Sequence, residues 1–284
     1  MVHAFRVKFG RQGRLDGLVL SPNVMHPMPG AILCHGLGSG QGAVSSSGLS
    51  LAKHGIAALV FDFRGHGRSG GIFDGNEVED VVDAWQWLSQ YDGVDKGRIA
   101  LIGHSMGARA AILAACKVDS PGAVVALACP SDPDEKLNQD KTFDLGRWTK
   151  KGNAVMEYPM DGTLPWLGGA HAVGAWFWMY LRGYRLRIDW KRYFTAFSNV
   201  KVSTALQGLG GCPKLLVHHQ GDKRTPYQAV VEFYRKAPEP KDLLLAKGGF
   251  HAASLMPGNL RKRWISWVVN VLTSETSEEV GFYG

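Results

Sequence analysis

A serine between two glycines is the residue of this sequence best suited to chemistry. Gly103-His104-Ser105-Met106-Gly107 follows the apolar run RIALI (98–102) and precedes an alanine-rich stretch. Where a strand turns at once into a helix, flanking side chains would collide, and the serine at the turn is held in a strained backbone conformation. Its hydroxyl then projects above the sheet beside a helix N-terminus, which favours developing negative charge. This placement predicts a nucleophile, although serine is also a common helix N-cap residue.

A serine hydroxyl is a weak nucleophile that needs a base, and the base needs a third group to orient it. Asp222 follows the predicted strand PKLLVHH (213–219), and His251 follows the next predicted strand, DLLLAK (242–247). Each residue comes just past the carboxyl end of its strand, where open α/β sheets build their sites. We therefore predict Ser105 as nucleophile, His251 as general base and Asp222 as the orienting acid.

The acid has alternatives. Asp222 comes four residues before Pro226 and could be an ordinary turn residue, because aspartate favours turns. Asp132 and Asp134 follow the predicted strand AVVALAC (123–129), so either of them could supply the carboxylate instead.

The tetrahedral intermediate of acyl transfer carries a negative charge that backbone N–H groups must stabilise. Met106 directly follows the nucleophile, and its amide is the first predicted donor. The loop after GAILC (30–34) reads His35-Gly36-Leu37-Gly38, and the Leu37 amide is the second, because glycine lets the backbone approach closely. Residues predicted to border the substrate are His35, Gly36, His104, Trp176 and Trp178. His104 is also expected to satisfy a backbone hydrogen bond.

Short β-rich apolar runs alternate with helical stretches, which predicts an α/β fold with a mostly parallel sheet flanked by helices. Eight strands are predicted at 2–9, 14–21, 30–36, 57–63, 98–104, 123–129, 213–219 and 242–247, of which the first two form a hairpin. Helices are predicted after the N-cap Asn76, with Glu79 at its third position, and over 105–117 and 260–272.

Residues 131–211 do not continue this alternation of strands and helices. They show no clear strand pattern and contain aromatic helical fragments separated by Gly and Pro residues. An insertion of that length is a lid or a small subdomain. We predict a helical cap, with 1–130 and 212–284 forming the core. The segment GAWFWMYL (174–181) is apolar on every face and would line the pocket. The alternative is a subdomain with its own aromatic core.

Three motifs and their order along the chain resemble the α/β-hydrolase superfamily, in particular its capped serine esterases, acylglycerol lipases and aminopeptidase-like hydrolases. They are His35-Gly36, the run Asp62-Phe63-Arg64-Gly65-His66-Gly67-Arg68-Ser69, and Gly103 to Gly107. The resemblance covers about residues 4–272 and implies an α/β-hydrolase fold with a cap after the sixth strand and the order serine, acid, histidine. The chain departs from the pattern at His218-His219, where such proteins often show His-Gly.

The predicted reaction is hydrolysis of a carboxylic ester through an acyl-enzyme on Ser105, with no cofactor and no metal. A peptidase, a thioesterase, a C–C hydrolase or an acyltransferase would use the same residues. A catalytically silent ligand receptor is the alternative from another class. The expected partner is a small-molecule ester with an acyl chain or an aromatic group.

The formal net charge is +7, and the predicted cap holds most of the excess. The stretch from Lys141 to Lys201 contains ten Lys and Arg residues and four Asp and Glu residues, which gives a net charge of +6. This basic rim suits an anionic leaving group or a lipid head group, or it is a solvated surface. Since the sequence shows no nucleic-acid-binding module, nucleic acid is not an expected partner.

The sequence predicts a cytoplasmic protein. Its first residues lack the apolar core of a signal peptide, and no run of about 18 apolar residues predicts a transmembrane helix. The four cysteines show neither metal-ligand spacing nor the density of a disulfide scaffold, so we expect buried free thiols. They are Cys34, Cys116, Cys129 and Cys212.

Overall fold

The computed structural model describes residues 1–24, 27–133, 156–158, 181 and 184–274. The strands are Val2–Phe9 (β1), Leu15–Pro22 (β2), Met28–Cys34 (β3), Ala57–Asp62 (β4), His66–Gly67 (β5), Val94–His104 (β6), Ala123–Leu127 (β7), Met156–Tyr158 (β8), Arg185–Ile188 (β9), Lys214–His219 (β10) and Lys241–Ala246 (β11). The α-helices are Gly42–Ala52 (α1), Glu77–Ser89 (α2), Met106–Ala115 (α3), Trp190–Asn199 (α4), Val202–Gln207 (α5), Tyr227–Lys236 (α6) and Asn259–Thr273 (α7).

Eight of these strands form one sheet in the order β1-β2-β4-β3-β6-β7-β10-β11. β1 pairs with β2 and β2 with β4 in antiparallel fashion, and the other neighbours are parallel. The predicted α/β fold, its eight strands and the opening hairpin are thus confirmed. Because β3, β6, β7, β10 and β11 run the same way, the loops that follow them meet at one edge of the sheet.

The central strands are buried on both faces, which explains their continuous apolar runs. Neighbouring residues of a strand point to opposite faces. Ile32 therefore belongs to a core shared with α2 and α3, whereas Leu33 belongs to a second core shared with α1 and α7. Trp264 of α7 is fully buried in the second core. Burying one such apolar side chain stabilises the fold by roughly 1.5–3 kcal/mol.

The expectation that 131–211 holds no strand was wrong. β8 and β9 lie in this insertion and form a three-stranded sheet with β5, in the order β5-β9-β8. β9 reads Arg-Leu-Arg-Ile, and its Leu186 and Ile188 are buried. Four residues that alternate basic and apolar side chains give too short a pattern to be recognised from sequence. The predicted helical content is present in part, as α4 and α5.

The described part of the insertion is held onto the core by polar contacts. The buried Arg109 of α3 donates to the carbonyl oxygens of Phe197 at 3.1 Å and Val200 at 3.0 Å, at the end of α4. The hydroxyl of Tyr184 donates to the carbonyl oxygen of Ser39, in the loop after β3. The segments that precede and follow β9 are therefore fixed against the elements that surround the predicted site.

Helix α2 begins after Asn76 as predicted, but the predicted side-chain cap was wrong. The Asn76 amide donates instead to the Asp74 carboxylate at 3.1 Å and makes no cap hydrogen bond. This bond uses the Nδ2 donor of Asn76 and not the Oδ1 acceptor that a cap would use. The acidic residues in the first turn of α2 interact favourably with the positive end of the helix dipole.

All four cysteines are free thiols. Cys34 and Cys129 are buried as predicted, whereas the prediction was wrong for Cys116, which is exposed at the end of α3. Within the described ranges, no helix has the length and apolar character needed to cross a membrane.

Candidate active site

The turn between β6 and α3 has the geometry that the glycine motif predicts. Ser105 has φ 56° and ψ −122°, and it makes no side-chain cap hydrogen bond to α3. A Cβ atom on Gly103 would overlap the backbone of Gly107. A Cβ atom on Gly107 would lie 2.5 Å from the carbonyl oxygens of Cys34 and His35. Both glycines are therefore sterically required, and the strained serine is not an ordinary N-cap.

The three predicted residues form one hydrogen-bonded chain. His251 Nε2 lies 2.8 Å from Ser105 Oγ, and His251 Nδ1 lies 2.8 Å from Asp222 Oδ2. A carboxylate only accepts, so the proton on this imidazole belongs on Nδ1, and Nε2 is left to accept from the serine hydroxyl. The loops after β6, β10 and β11 bring these residues together from distant parts of the chain.

Asp222 is buried and fully surrounded by donors. Its Oδ1 accepts from the backbone N–H groups of Arg224 at 2.8 Å and Thr225 at 3.2 Å, and its Oδ2 accepts from the Thr225 hydroxyl at 2.8 Å. Burial raises the pKa of the Asp222 carboxyl, but hydrogen bonds from His218 and His251 outweigh it, so the pKa lies well below its ordinary value. The carboxylate is therefore ionised at neutral pH.

Asp132, the alternative acid, has another role. One carboxylate oxygen lies 2.6 Å from the Val202 amide nitrogen, and the other lies 3.1 Å from the Ser203 amide nitrogen and 2.5 Å from its hydroxyl. These bonds satisfy the N-terminal donors of α5. Asp134 lies outside the described residues. The carboxylate that contacts the histidine is that of Asp222.

His104 supports the backbone of His251. Its Nε2 lies 2.9 Å from the His251 carbonyl oxygen, which confirms the expected backbone hydrogen bond. Burial, reinforced by the neighbouring His251, lowers the pKa of His104 to about 4. The ring is buried, and its predicted place at the border of the substrate stays a prediction.

His35 was predicted to border the substrate, which stays a prediction, and the structure shows its role in the loop after β3. The ring is fully buried, with Nε2 accepting from the Phe63 amide at 3.1 Å and Nδ1 donating to the Gly36 carbonyl at 2.8 Å. Burial lowers the pKa of His35, which keeps the ring neutral in these two bonds. His35 thus fixes the loop that follows β3.

That loop passes close to the nucleophile. A Cβ atom on Gly36 would lie 3.3 Å from Ser105 Cβ. The next amides are already occupied, since Gly38 donates to His66 Nε2 of β5 at 3.2 Å and Ser39 donates to the Gly36 carbonyl at 3.1 Å. In the part of the chain that the structure describes, the amides of Leu37 and Met106 donate no hydrogen bond.

Trp176 and Trp178 lie outside the described residues, so their predicted place in the pocket stays a prediction. Among the residues that are described, no cluster of His, Cys, Asp and Glu side chains has the arrangement of a metal site.

Two residues on the acid were missed from the sequence. Thr225 donates to Asp222 through both its amide and its hydroxyl, and His218 lies 3.4 Å from Asp222 Oδ2. Their positions three residues after and four residues before the acid are a usable signal, because a tight turn returns the chain toward its own side chains.

The chain belongs to the α/β hydrolase family, because the model of that family matches residues 31–262. Among curated proteins, it is similar to a monoglyceride lipase homolog of monkeypox virus, with 36% identity over 110 residues that cover 37% of this chain and 38% of the relative. The matches to the first curated relatives span only about a third of their length.

Solved structures show the same fold. The α/β hydrolase GrgF from Penicillium sp. sh18 is 22% identical, with a TM-score of 0.72 and coverage of 95% of this chain and 98% of that one. An esterase from Pyrococcus furiosus is also 22% identical, with a TM-score of 0.63 and coverage of 95% and 90%.

Proposed function

We propose that the protein is a serine hydrolase that cleaves a carboxylic ester through an acyl-enzyme on Ser105. The observation that carries the proposal is the continuous hydrogen-bonded chain from Asp222 through His251 to a serine in a strained turn. Membership of the α/β hydrolase family supports hydrolysis, and the esterase and monoglyceride lipase homolog among the similar proteins support an ester as substrate.

The first step is attack of Ser105 Oγ on the ester carbonyl carbon while His251 Nε2 takes the hydroxyl proton. The 2.8 Å distance between these atoms is within reach for proton transfer. Asp222 keeps the Nδ1 proton in place and stabilises the imidazolium that forms. Its lowered pKa ensures that it does this as an anion at neutral pH.

The oxyanion of the tetrahedral intermediate would be bound by the Leu37 and Met106 amides. Both belong to segments whose backbone is fixed, one by His35 and the other by the start of α3. One donor of this kind typically contributes about 2.7–4 kcal/mol to transition-state stabilisation. His251 then protonates the leaving alkoxide, and water attacks the acyl-enzyme by the reverse proton transfer.

The substrate we propose is a small molecule with an acyl chain or an aromatic group. The wall of its pocket would come from the cap at 131–211, including Trp176 and Trp178. The positive charge of this stretch suits an ester with an anionic group.

A panel of p-nitrophenyl esters of graded chain length, assayed with and without an alcohol acceptor, tests the proposal. We expect hydrolysis by the wild type and a loss of kcat of about 10⁴-fold or more in Ser105→Ala. Ser89→Ala, at the end of α2, is the control and should retain full activity. Transfer to the alcohol in preference to water would indicate an acyltransferase, and stoichiometric binding without turnover would indicate a receptor.

A further inference from the structure

The acid of the site has a second histidine against it. His218 lies at the end of β10 and is fully buried. Its Nε2 lies 2.9 Å from the carbonyl oxygen of Thr225 and 3.4 Å from Asp222 Oδ2. Asp222 Oδ2 is the same oxygen that His251 Nδ1 contacts at 2.8 Å. One carboxylate oxygen is therefore shared by two imidazole rings.

The contacts of His218 determine which of its nitrogens carries the proton. The carbonyl and carboxylate oxygens near Nε2 are both acceptors, so Nε2 must donate. A third oxygen, the Thr225 hydroxyl at 3.4 Å, uses its own proton in the bond to Asp222 Oδ2. Nδ1 is buried and has no hydrogen-bond partner among the described residues. With the proton on Nε2, only a lone pair stays unpaired at Nδ1. Any form with a proton on Nδ1 would bury an unpaired N–H, which is unfavourable.

Thr225 completes this arrangement. Its hydroxyl donates to Asp222 Oδ2 at 2.8 Å, its amide donates to Asp222 Oδ1 at 3.2 Å, and its carbonyl accepts from His218. The end of β10 and the acid loop are thereby closed into one hydrogen-bonded ring. A ring in which every bond supports the next holds its members in a narrow range of positions.

We propose that His218 is a positioning residue, whose Nε2–H shares the negative charge of Asp222 Oδ2 with His251 and so limits how tightly the base holds its proton. The catalytic consequence rests on the proposed function, whereas the charge sharing rests on the geometry alone. A general base works best when it releases its proton near the working pH. A carboxylate with one donor fewer would hold the imidazolium more tightly.

The other groups around this carboxylate are either neutral rings or cations exposed to solvent. The titratable or charged residues that face it or adjoin it are His251, His104, His219, Lys223 and Arg224. Burial lowers the pKa of His104 to about 4 and also lowers the pKa of His219, so both rings are neutral at pH 7. Lys223 and Arg224 are exposed on the acid loop, where solvent screens them. Loss of the His218 donor would therefore act directly on the Asp222–His251 pair.

The test is an NMR titration of the His251 ring in the wild type, His218→Leu and His218→Gln, with no substrate present. Leucine keeps the volume and removes the donor, whereas glutamine keeps an N–H near the position of Nε2. We expect the titration midpoint to rise by about half a unit to one unit in His218→Leu. It should return to the wild-type value in His218→Gln. The acid limb of kcat/KM for ester hydrolysis should move to higher pH by the same amount.

An unchanged midpoint in a folded His218→Leu variant would reduce His218 to a packing role and overturn the proposal. If that variant does not fold, His218→Asn replaces it, because its shorter amide cannot reach Asp222, and the same rise is expected. The two proposals fail separately. A midpoint shift in a protein that hydrolyses no ester would refute the esterase function only, and an active esterase with no shift would refute the role of His218 only.

Discussion

His104 Nε2 lies 2.9 Å from the carbonyl oxygen of His251, so the residue before the nucleophile supports the backbone of the base. The contact joins the end of β6 to the loop after β11. Its ring centroid is 4.9 Å from that of His251. The contact therefore links the strand that carries the nucleophile to the loop that carries the base, so a change in the protonation of His104 would disturb both.

The pKa of His104 gives the protein a predictable sensitivity to acid. The pKa is about 4 in the folded chain and near 6.5 in the unfolded one, because burial disfavours the charged ring. Between these pH values the unfolded state binds more protons, so stability falls as the pH is lowered, by up to about 3 kcal/mol. Urea unfolding at pH 7 and pH 4.5 should show this loss. It should be smaller in His104→Gln, and an equal loss in both proteins would contradict the assignment.

An active-site serine probe should label Ser105. A fluorophosphonate needs a serine whose proton is removed by a base, so labelling should collapse in His251→Ala. His54→Ala, at an exposed position after α1, is the matched control and should label like the wild type. Intact-mass analysis with peptide mapping gives both the extent and the position of labelling. Equal labelling of the His251 variant would identify another residue as the base.

Substitution of Asp222 and of Asp132, the two candidate acids of the sequence, should affect activity differently. Asp222→Asn should fold normally and lose about 10⁴-fold in kcat, because a neutral amide favours the wrong imidazole tautomer. Asp132→Asn should keep most of its activity, because its carbonyl oxygen can still cap α5 and it has no contact with the base. Measurement of kcat for both variants on one ester tests this. A large loss in Asp132→Asn and a small loss in Asp222→Asn would assign the role of the acid to Asp132, after β7.

The position of the site was predictable because its signals are local or follow from sheet topology. Ser105 lies between glycines whose absent side chains leave room for the backbone of the turn, and this is visible as a five-residue motif. Asp222 follows β10, a buried parallel strand, and His251 follows β11, the partly exposed parallel strand at the edge of the sheet. Both strands contain short apolar runs, and the buried central strands were recognised from runs of the same kind.

Roles that depend on three-dimensional neighbours were not predictable. His35 was expected at the substrate, and its bond to the Phe63 amide depends on a strand that only folding brings near it. For His104 a backbone hydrogen bond was expected, but its partner, the His251 carbonyl, lies 147 positions away and could not be named from the sequence. β5 consists of two residues and pairs with β9 across 120 positions, His66 with Leu186, so the pairing cannot be recognised from a local sequence pattern. His218, the second histidine on Asp222, occupies the histidine position of the His-Gly pattern, and only its neighbour His219 departs from that pattern. The contact of His218 with the acid was not predicted.

The cap aromatics should set substrate preference. Trp176→Ala or Trp178→Ala is expected to change the preferred acyl chain length more than it lowers Tm. A purely structural tryptophan would instead cost about 3–5 kcal/mol of stability on truncation. The ester panel and thermal unfolding of both variants separate these outcomes. Large losses of stability with an unchanged preference would assign specificity to other residues.

The two glycines before the base offer a matched pair of variants. Gly248 and Gly249 both have positive φ, 63° and 80°, so alanine costs similar backbone strain at either position, roughly 1–2 kcal/mol. A Cβ atom on Gly249 would overlap the His219 ring, whereas a Cβ atom on Gly248 meets nothing within 4 Å. A difference between the variants therefore reports the collision alone.

We expect Gly248→Ala to lose stability and keep its activity, and Gly249→Ala to lose about 100-fold in kcat as well. The extra loss arises because relief of the collision must move either β10 or the loop that carries His251, and a displacement of about 1 Å can cost that factor. Measurements of kcat and Tm for both variants test this. Removing the obstructing ring should repair the defect, so Gly249→Ala combined with His219→Gly should recover most of the lost kcat. If the double variant is as slow as Gly249→Ala, the loss of kcat is caused by backbone strain in the loop that carries His251 and not by contact with His219.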